Sequence, residues 1–297
     1  VVEISKADIK QVYDMLNVDF DLWLGESDAA EYIEELTKIY EEKNVLKESE
    51  GALIVEVKES EDTSPMPPLL FKRSNGTISY ETTDLATILQ RKKEINPDEI
   101  WYCVDARQEL HFDQVFRAAR KAELVDDKVN LEFIGFGTMN GTDGKPFKTR
   151  DGGVMSLKNL ISLVEEETRK RINPDTVEEE KRESVAKTVA IATLKYADLL
   201  PFRGTDYIFD PEKFSDLDGK TGPYLLYSTI RMRSLLEKGA HLKIGEITKF
   251  KTETEKELSL TILRLPIVLN KALDSKSLND ITAVSYTHLT LPTNSRV

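Results

Sequence analysis

Ile100-Trp-Tyr-Cys-Val104, then Phe112-Asp-Gln-Val-Phe-Arg-Ala-Ala-Arg-Lys-Ala-Glu-Leu124, then Leu131-Glu-Phe-Ile-Gly-Phe-Gly-Thr-Met139 form the most informative stretch of the chain. The first and third segments are short, apolar and rich in β-branched and aromatic residues, as strands are. The middle segment places Val115, Phe116, Ala119 and Ala122 at helical spacing. Strand, helix and strand in this order predict a right-handed crossover and a parallel sheet. Ligands of such sheets bind outside the carboxyl ends of the strands. Those ends are Asp105 to His111 and Asn140 to Arg150, both dense in polar groups and expected to face one crevice. Cys103, between Tyr102 and Val104, reads as a small buried apolar residue.

Upstream, Ile4, Ile9, Val12, Met15 and Leu16 predict a helix, and Tyr32, Leu36, Ile39 and Tyr40 predict another. Gly51 to Val57 reads as a strand, and the proline-rich stretch from Ser60 to Pro68 as a loop. Asn75-Gly76 between two apolar arms is a hairpin signal. Downstream, Glu178 to Leu200, Tyr224 to Leu236 and Leu258 to Leu273 read as helices. The 297 residues suggest about two domains at roughly 150 residues each. The composition shift near Phe214 to Gly222 divides an α/β body, residues 1–214, from a helical part, residues 215–282. The Ser/Thr-rich stretch 283–297 reads as a disordered or non-native tail.

Composition narrows the classes. A net charge of −12 argues against holding nucleic acid by an overall field, so any such contact needs a local patch. One cysteine and three histidines cannot assemble a Cys/His zinc cluster or a disulfide framework. The apolar runs are far shorter than the roughly 20 residues a bilayer crossing needs. With nothing marking secretion at Val1 to Lys10, a cytoplasmic location is expected.

Three segments could carry chemistry. Gly141-Thr-Asp-Gly-Lys145-Pro-Phe-Lys148-Thr149-Arg150-Asp-Gly-Gly153 is glycine-punctuated and holds three cations within six residues. Backbone amides and paired lysines of this kind suit a polyphosphate. Tyr80 and Asp84, four apart, would meet on one face of a helix. A carboxylate beside a phenol suits a guanidinium, although Asp84 could instead cap the helix through Leu85, Ala86 and Ile88. Asp105 to Phe112 leaves a strand and enters a helix, with His111 as the one histidine of the α/β body.

In order, these segments resemble arginyl-tRNA synthetases, a class I aminoacyl-tRNA synthetase family, from Asp8 to about Leu273. The resemblance rests on Phe20-Asp-Leu-Trp-Leu-Gly-Glu-Ser27, Tyr80-x-x-x-Asp84-Leu-Ala, Val104-Asp-Ala-Arg-Gln108-x-x-His111-Phe112, Phe136-Gly-Thr-Met, Gly144-Lys-Pro-Phe-Lys-Thr-Arg-Asp-Gly-Gly153 and Thr221-Gly-Pro-Tyr-Leu-Leu-Tyr227. It implies a Rossmann-like catalytic domain followed by the start of an all-α anticodon-binding domain. The implied reaction is ATP-dependent activation of arginine and its transfer to tRNA(Arg), with magnesium accompanying ATP and the protein a monomer.

The resemblance also assigns residues. Lys145-Pro-Phe-Lys148-Thr149 stands where the family has its lysine loop, with Lys148 the principal cation on the phosphates and Lys145 assisting. Tyr80, Asp84 and Gln108 match the arginine-recognising positions, and His111 and the backbone after Phe136 would lie near the nucleotide. The family's His-x-Gly-His signature has no counterpart here, which implies an internal piece that is inactive alone. Two other readings remain open at this stage: a different class I-type nucleotidyl transferase, and a non-catalytic binding or scaffold protein derived from a synthetase.

Overall fold

The computed structural model describes residues 2–147, 155–243, 245 and 248–290. Contacts divide the chain into two units, Val1–Asp19 with Gly137–Val297, and Phe20–Phe136. This division cuts the chain elsewhere than the composition shift near residue 214 does. The first helix, α1 (Val2–Leu16), belongs with the distant second half of the chain.

In the unit Phe20–Phe136, a 3-10 turn at Glu26–Tyr32 leads into α2 (Ile33–Glu42). Then come β1 (Leu46–Ser49), β2 (Ala52–Val55) and β3 (Leu69–Lys72), an antiparallel sheet with Leu46 opposite Val55 and Val55 opposite Leu69. The Asn75-Gly76 turn closes as predicted, with Arg73 N donating to Thr77 O at 2.9 Å. Its return arm is a single bridge, Lys72 to Ile78, because α3 (Tyr80–Glu94) starts almost at once. β4 (Glu99–Asp105), α4 (Glu109–Lys121) and β5 (Asn130–Phe136) form the expected strand, helix and strand. β4 and β5 are parallel in register from Glu99 opposite Asn130 to Asp105 opposite Phe136.

The core of this unit follows from those patterns. Leu36 and Tyr40 of α2, Val55 and Phe71 of the antiparallel sheet, Leu85 and Ile88 of α3, and Val115 and Ala118 of α4 are fully buried together. Tyr40 Oη donates to Ala118 O at 2.9 Å, so its hydroxyl enters the core paired. Cys103 departs from its reading. Alternation along β4 buries Ile100 and Tyr102 and leaves Trp101 and Cys103 exposed, because successive strand residues point to opposite faces.

The predicted strand Leu131–Met139 is two strands. β5 stops at Phe136, and β6 (Met139–Asn140) instead pairs in parallel with β7 (Tyr207–Ile208). Gly137 makes the switch. Its N–H donates to Arg203 O at 2.8 Å, and a Cβ there would lie 2.4 Å from the Thr205 carbonyl carbon.

The other unit is mainly helical: α5 (Leu157–Arg171), α6 (Glu179–Leu199), the short α7 (Pro211–Phe214) and α8 (Gly222–Lys238). Leu160, Ile161 and Val164 of α5 bury against Ala190, Leu194 and Ala197 of α6 and against Phe209. Val12, Met15 and Leu16 of α1 pack on this cluster, and Lys195 Nζ donates to Leu16 O at 2.9 Å. The predicted helix Leu258–Leu273 is broken into α9 (Glu253–Leu263) and α10 (Leu265–Ser275). Pro266 in the first turn of α10 has no N–H to continue the preceding helix. α11 (Asn279–Thr290) runs through the first part of the expected tail, and the remainder, 291–297, lies outside the described residues. Among the described residues, no helix is long and apolar enough to cross a membrane.

Candidate functional site

The start of α3 is bolted to the antiparallel sheet. Ser79 caps the helix by accepting from Thr82 N at 3.2 Å, and its hydroxyl donates to Leu70 O at 2.5 Å. Thr82 Oγ1 donates to Phe71 O at 2.5 Å. The capping role that Asp84 could have filled is therefore taken by Ser79. Tyr80 and Asp84 lie one turn apart on a helix whose first turn is fixed.

α4 is set by a second device. Asp105, at the end of β4, caps the 3-10 turn Ala106–Gln108 by accepting from Arg107 N at 2.9 Å. That turn delivers Gln108 and, one turn into the helix, His111. His111 Nε2 donates to Asp84 Oδ2 at 2.6 Å, and the imidazole lies 5.0 Å from the Tyr80 ring. Phe112 meets the imidazole edge-on at 4.8 Å, and Phe112 packs on Tyr102 at 4.7 Å. The Tyr80 phenol is half exposed, and the neighbouring Glu81 carboxylate holds its pKa above the usual value.

Tyr80, Asp84 and His111 therefore form one cluster on two anchored helices. Gln108 stands exposed at the N-cap of α4 and makes no side-chain cap bond. Phe136, also half exposed, ends β5 opposite Asp105. A partly buried carboxylate with a phenol beside it can accept paired hydrogen bonds from a planar cation.

In the other unit, the first half of the lysine-bearing loop is a tight hairpin rather than a flexible loop. Asn140 bridges Pro146, Gly141 N donates to Lys145 O at 2.8 Å, and Asp143 Oδ1 accepts from Lys145 N at 3.0 Å. The backbone of Lys145 is pinned while its residue stays exposed. Lys148 and Thr149 lie outside the described residues.

A family profile described as "tRNA synthetases class I (R), catalytic domain" matches residues 1–211. The chain belongs to this family. It is 43% identical over 300 aligned residues to an arginine--tRNA ligase of Agathobacter rectalis, covering 96% of this chain and 50% of that protein. A second relative of the same name, from Francisella tularensis, is 42% identical over 96% of this chain and 49% of its own length. The chain thus spans about half the length of the curated relatives it matches. Its fold is shared with arginyl-tRNA synthetases of Thermus thermophilus (TM-score 0.82, 17% identity, 97% of this chain, 54% of that one) and Plasmodium falciparum (0.81, 21%, 98% and 50%). The Rossmann-like α/β class expected from the sequence is the class observed.

Within this class I synthetase domain, the sequence reading assigned Asp105 and Arg107 to a polar rim facing ligand. They bind each other, Arg107 Nε to Oδ1 at 2.8 Å and Nη2 to Oδ2 at 2.6 Å. The side-chain hydrogen bonds of Arg107, then its backbone N–H, pull the Asp105 carboxyl from 3.8 down to about 2. A depressed carboxyl stabilises the fold above its unfolded value and loses that contribution as pH falls through its folded value. A carbon-13 carboxyl titration should place Asp105 near pH 2, and Arg107→Ala should return it toward 3.8. An unchanged midpoint in that variant would show the pair to be irrelevant.

What the sequence reading of this synthetase domain missed is the bond between Asp84 and His111. The two are 27 positions apart, beyond the reach of helical spacing arguments. The available signal was that each stands in the early turns of a helix following a strand.

Proposed function

We propose that the full-length gene product is an arginine–tRNA ligase and that this chain carries its guanidinium-recognising wall and its lysine loop. The observation that carries this reading is the Asp84 carboxylate, held from behind by His111 and flanked by Tyr80 on an anchored helix. It has the charge and acceptor geometry that a guanidinium takes. Membership of the class I (R) family and the names of the relatives support the same reading.

In this reading the carboxylate of arginine attacks the α-phosphate of ATP, forming arginyl-adenylate and releasing pyrophosphate. The terminal ribose hydroxyl of tRNA(Arg) then takes the arginyl group and AMP leaves. Such chemistry needs alignment and charge neutralisation more than a protein nucleophile. Tyr80, Asp84 and Gln108 hold the amino acid. Lys148, assisted by Lys145 and with Thr149, holds the phosphates, and the backbone at Phe136 adjoins the nucleotide. Magnesium travels on the ATP phosphates. The helices from residue 215 onward begin an anticodon-binding domain, and the protein works as a cytoplasmic monomer.

The test is aminoacylation by the full-length gene product. Incorporation of labelled arginine into tRNA(Arg), with ATP consumed and no charging by lysine or citrulline, is the expected result. Charging with another amino acid, or none with arginine, overturns the reading.

A further inference from the structure

Asp84 and His111 are joined more closely than a nucleotide-side histidine requires. His111 Nε2 lies 2.6 Å from Asp84 Oδ2, with the two side chains 14% and 29% exposed. The ring lies 5.0 Å from that of Tyr80 and 4.8 Å from that of Phe112. Its other nitrogen, Nδ1, is buried and has no hydrogen-bond partner among the described residues. An imidazole carrying its proton on Nε2 leaves only a bare lone pair at Nδ1. The imidazole thus has one polar engagement among the described residues, its Nε2–H on Asp84 Oδ2.

We propose that His111 is the positioning residue of the guanidinium site: its Nε2–H fixes Asp84 through Oδ2, leaving Oδ1 and the second Oδ2 lone pair to accept from the arginine side chain. Tyr80 serves twice, covering the imidazole with its ring and presenting its half-exposed phenol beside the carboxylate. The inference rests on the arginine reading of this site. It assigns His111 to the amino-acid side of the reaction. Because an aspartate χ2 rotates broadly when nothing holds it, the histidine supplies orientation, and affinity for a planar fork depends on orientation.

The experiment measures arginine and ATP dissociation constants separately, by calorimetry, on the full-length gene product and three variants. His111→Phe keeps an aromatic ring against Tyr80 and removes the donor. His111→Gln keeps an N–H donor near the Nε2 position, and Asp84→Ala removes the acceptor. Loss of one hydrogen bond to a charged group should weaken arginine binding about tenfold in His111→Phe, with ATP binding changed less than about twofold and most of the loss restored in His111→Gln. Thermal melting of each variant separates misfolding from this effect. Equal arginine affinity in His111→Phe and the parent, no recovery in His111→Gln, or an ATP loss as large as the arginine loss would overturn the assignment. Should Asp84→Ala leave arginine binding unchanged, it is the arginine reading itself that fails. A loss in Asp84→Ala without one in His111→Phe rejects only the positioning role.

Discussion

Asp84→Ala in the full-length gene product is expected to weaken arginine binding about 100-fold while leaving ATP binding nearly unchanged. Removing one partner of a desolvated, hydrogen-bonded charge pair costs about 2–5 kcal/mol. Asp84 remains 29% exposed, which puts the expected loss toward the lower part of that range. The substitution also strands the His111 Nε2–H, whose acceptor among the described residues is Asp84. Asp84→Asn should be nearly as damaging, since it keeps an oxygen for His111 but sets a neutral amide against the ligand. The measurement is the ratio of the arginine and ATP dissociation constants. A parallel change in both would mean that Asp84 acts on the fold and not on the amino acid.

The second large effect concerns the helices of the other unit. Gly222 opens α8 in the Thr221-Gly-Pro-Tyr224 phrase, with Thr221 as N-cap accepting from Tyr224 N at 3.3 Å. A Cβ on Gly222 would lie 2.3 Å from Ala192 O and 2.8 Å from Thr193 N, both backbone atoms of α6. Neither atom can rotate away, so the whole helix must move. Gly222→Ala is expected to cost about 2–3 kcal/mol, toward the upper part of the range for overpacked sites, and to lower Tm by several degrees. Gly245→Ala, where nothing among the described residues lies within 4 Å of the added carbon, should stay within about 0.5 kcal/mol of the parent. Chemical denaturation of the two variants side by side decides the matter, and equal stabilities would reject the close approach of α6 and α8.

These two sites differ in how far the sequence disclosed them. The pair Tyr80 and Asp84 was legible because helical spacing alone brings them to one face, and the strand, helix and strand around Phe112 were legible because periodicity changes sharply there. His111 was visible as a residue but not as the partner of Asp84, since their meeting depends on how α3 and α4 pack. The end of β5 was hidden for a related reason. Apolar residues continue through Met139, and only the approach of Arg203 and Thr205 to Gly137 tells the chain to change sheets. Cys103 was misread because a strand of mixed residues does not declare which face is covered. The interruption between α9 and α10 was readable in principle, as Pro266 stands in plain view.

The docking of α1 beside α5 and α6, with residues 20–136 forming a separate unit in between, bears on how the chain assembles during synthesis. α1 is translated before residues 20–136, and the surface it binds is translated after them. Domains generally fold as units as they emerge, so the inserted unit can close around Tyr40 and Phe71 while α1 waits undocked with Val12, Met15 and Leu16 uncovered. A helix made before the inserted unit thus finds its place only after that unit is complete.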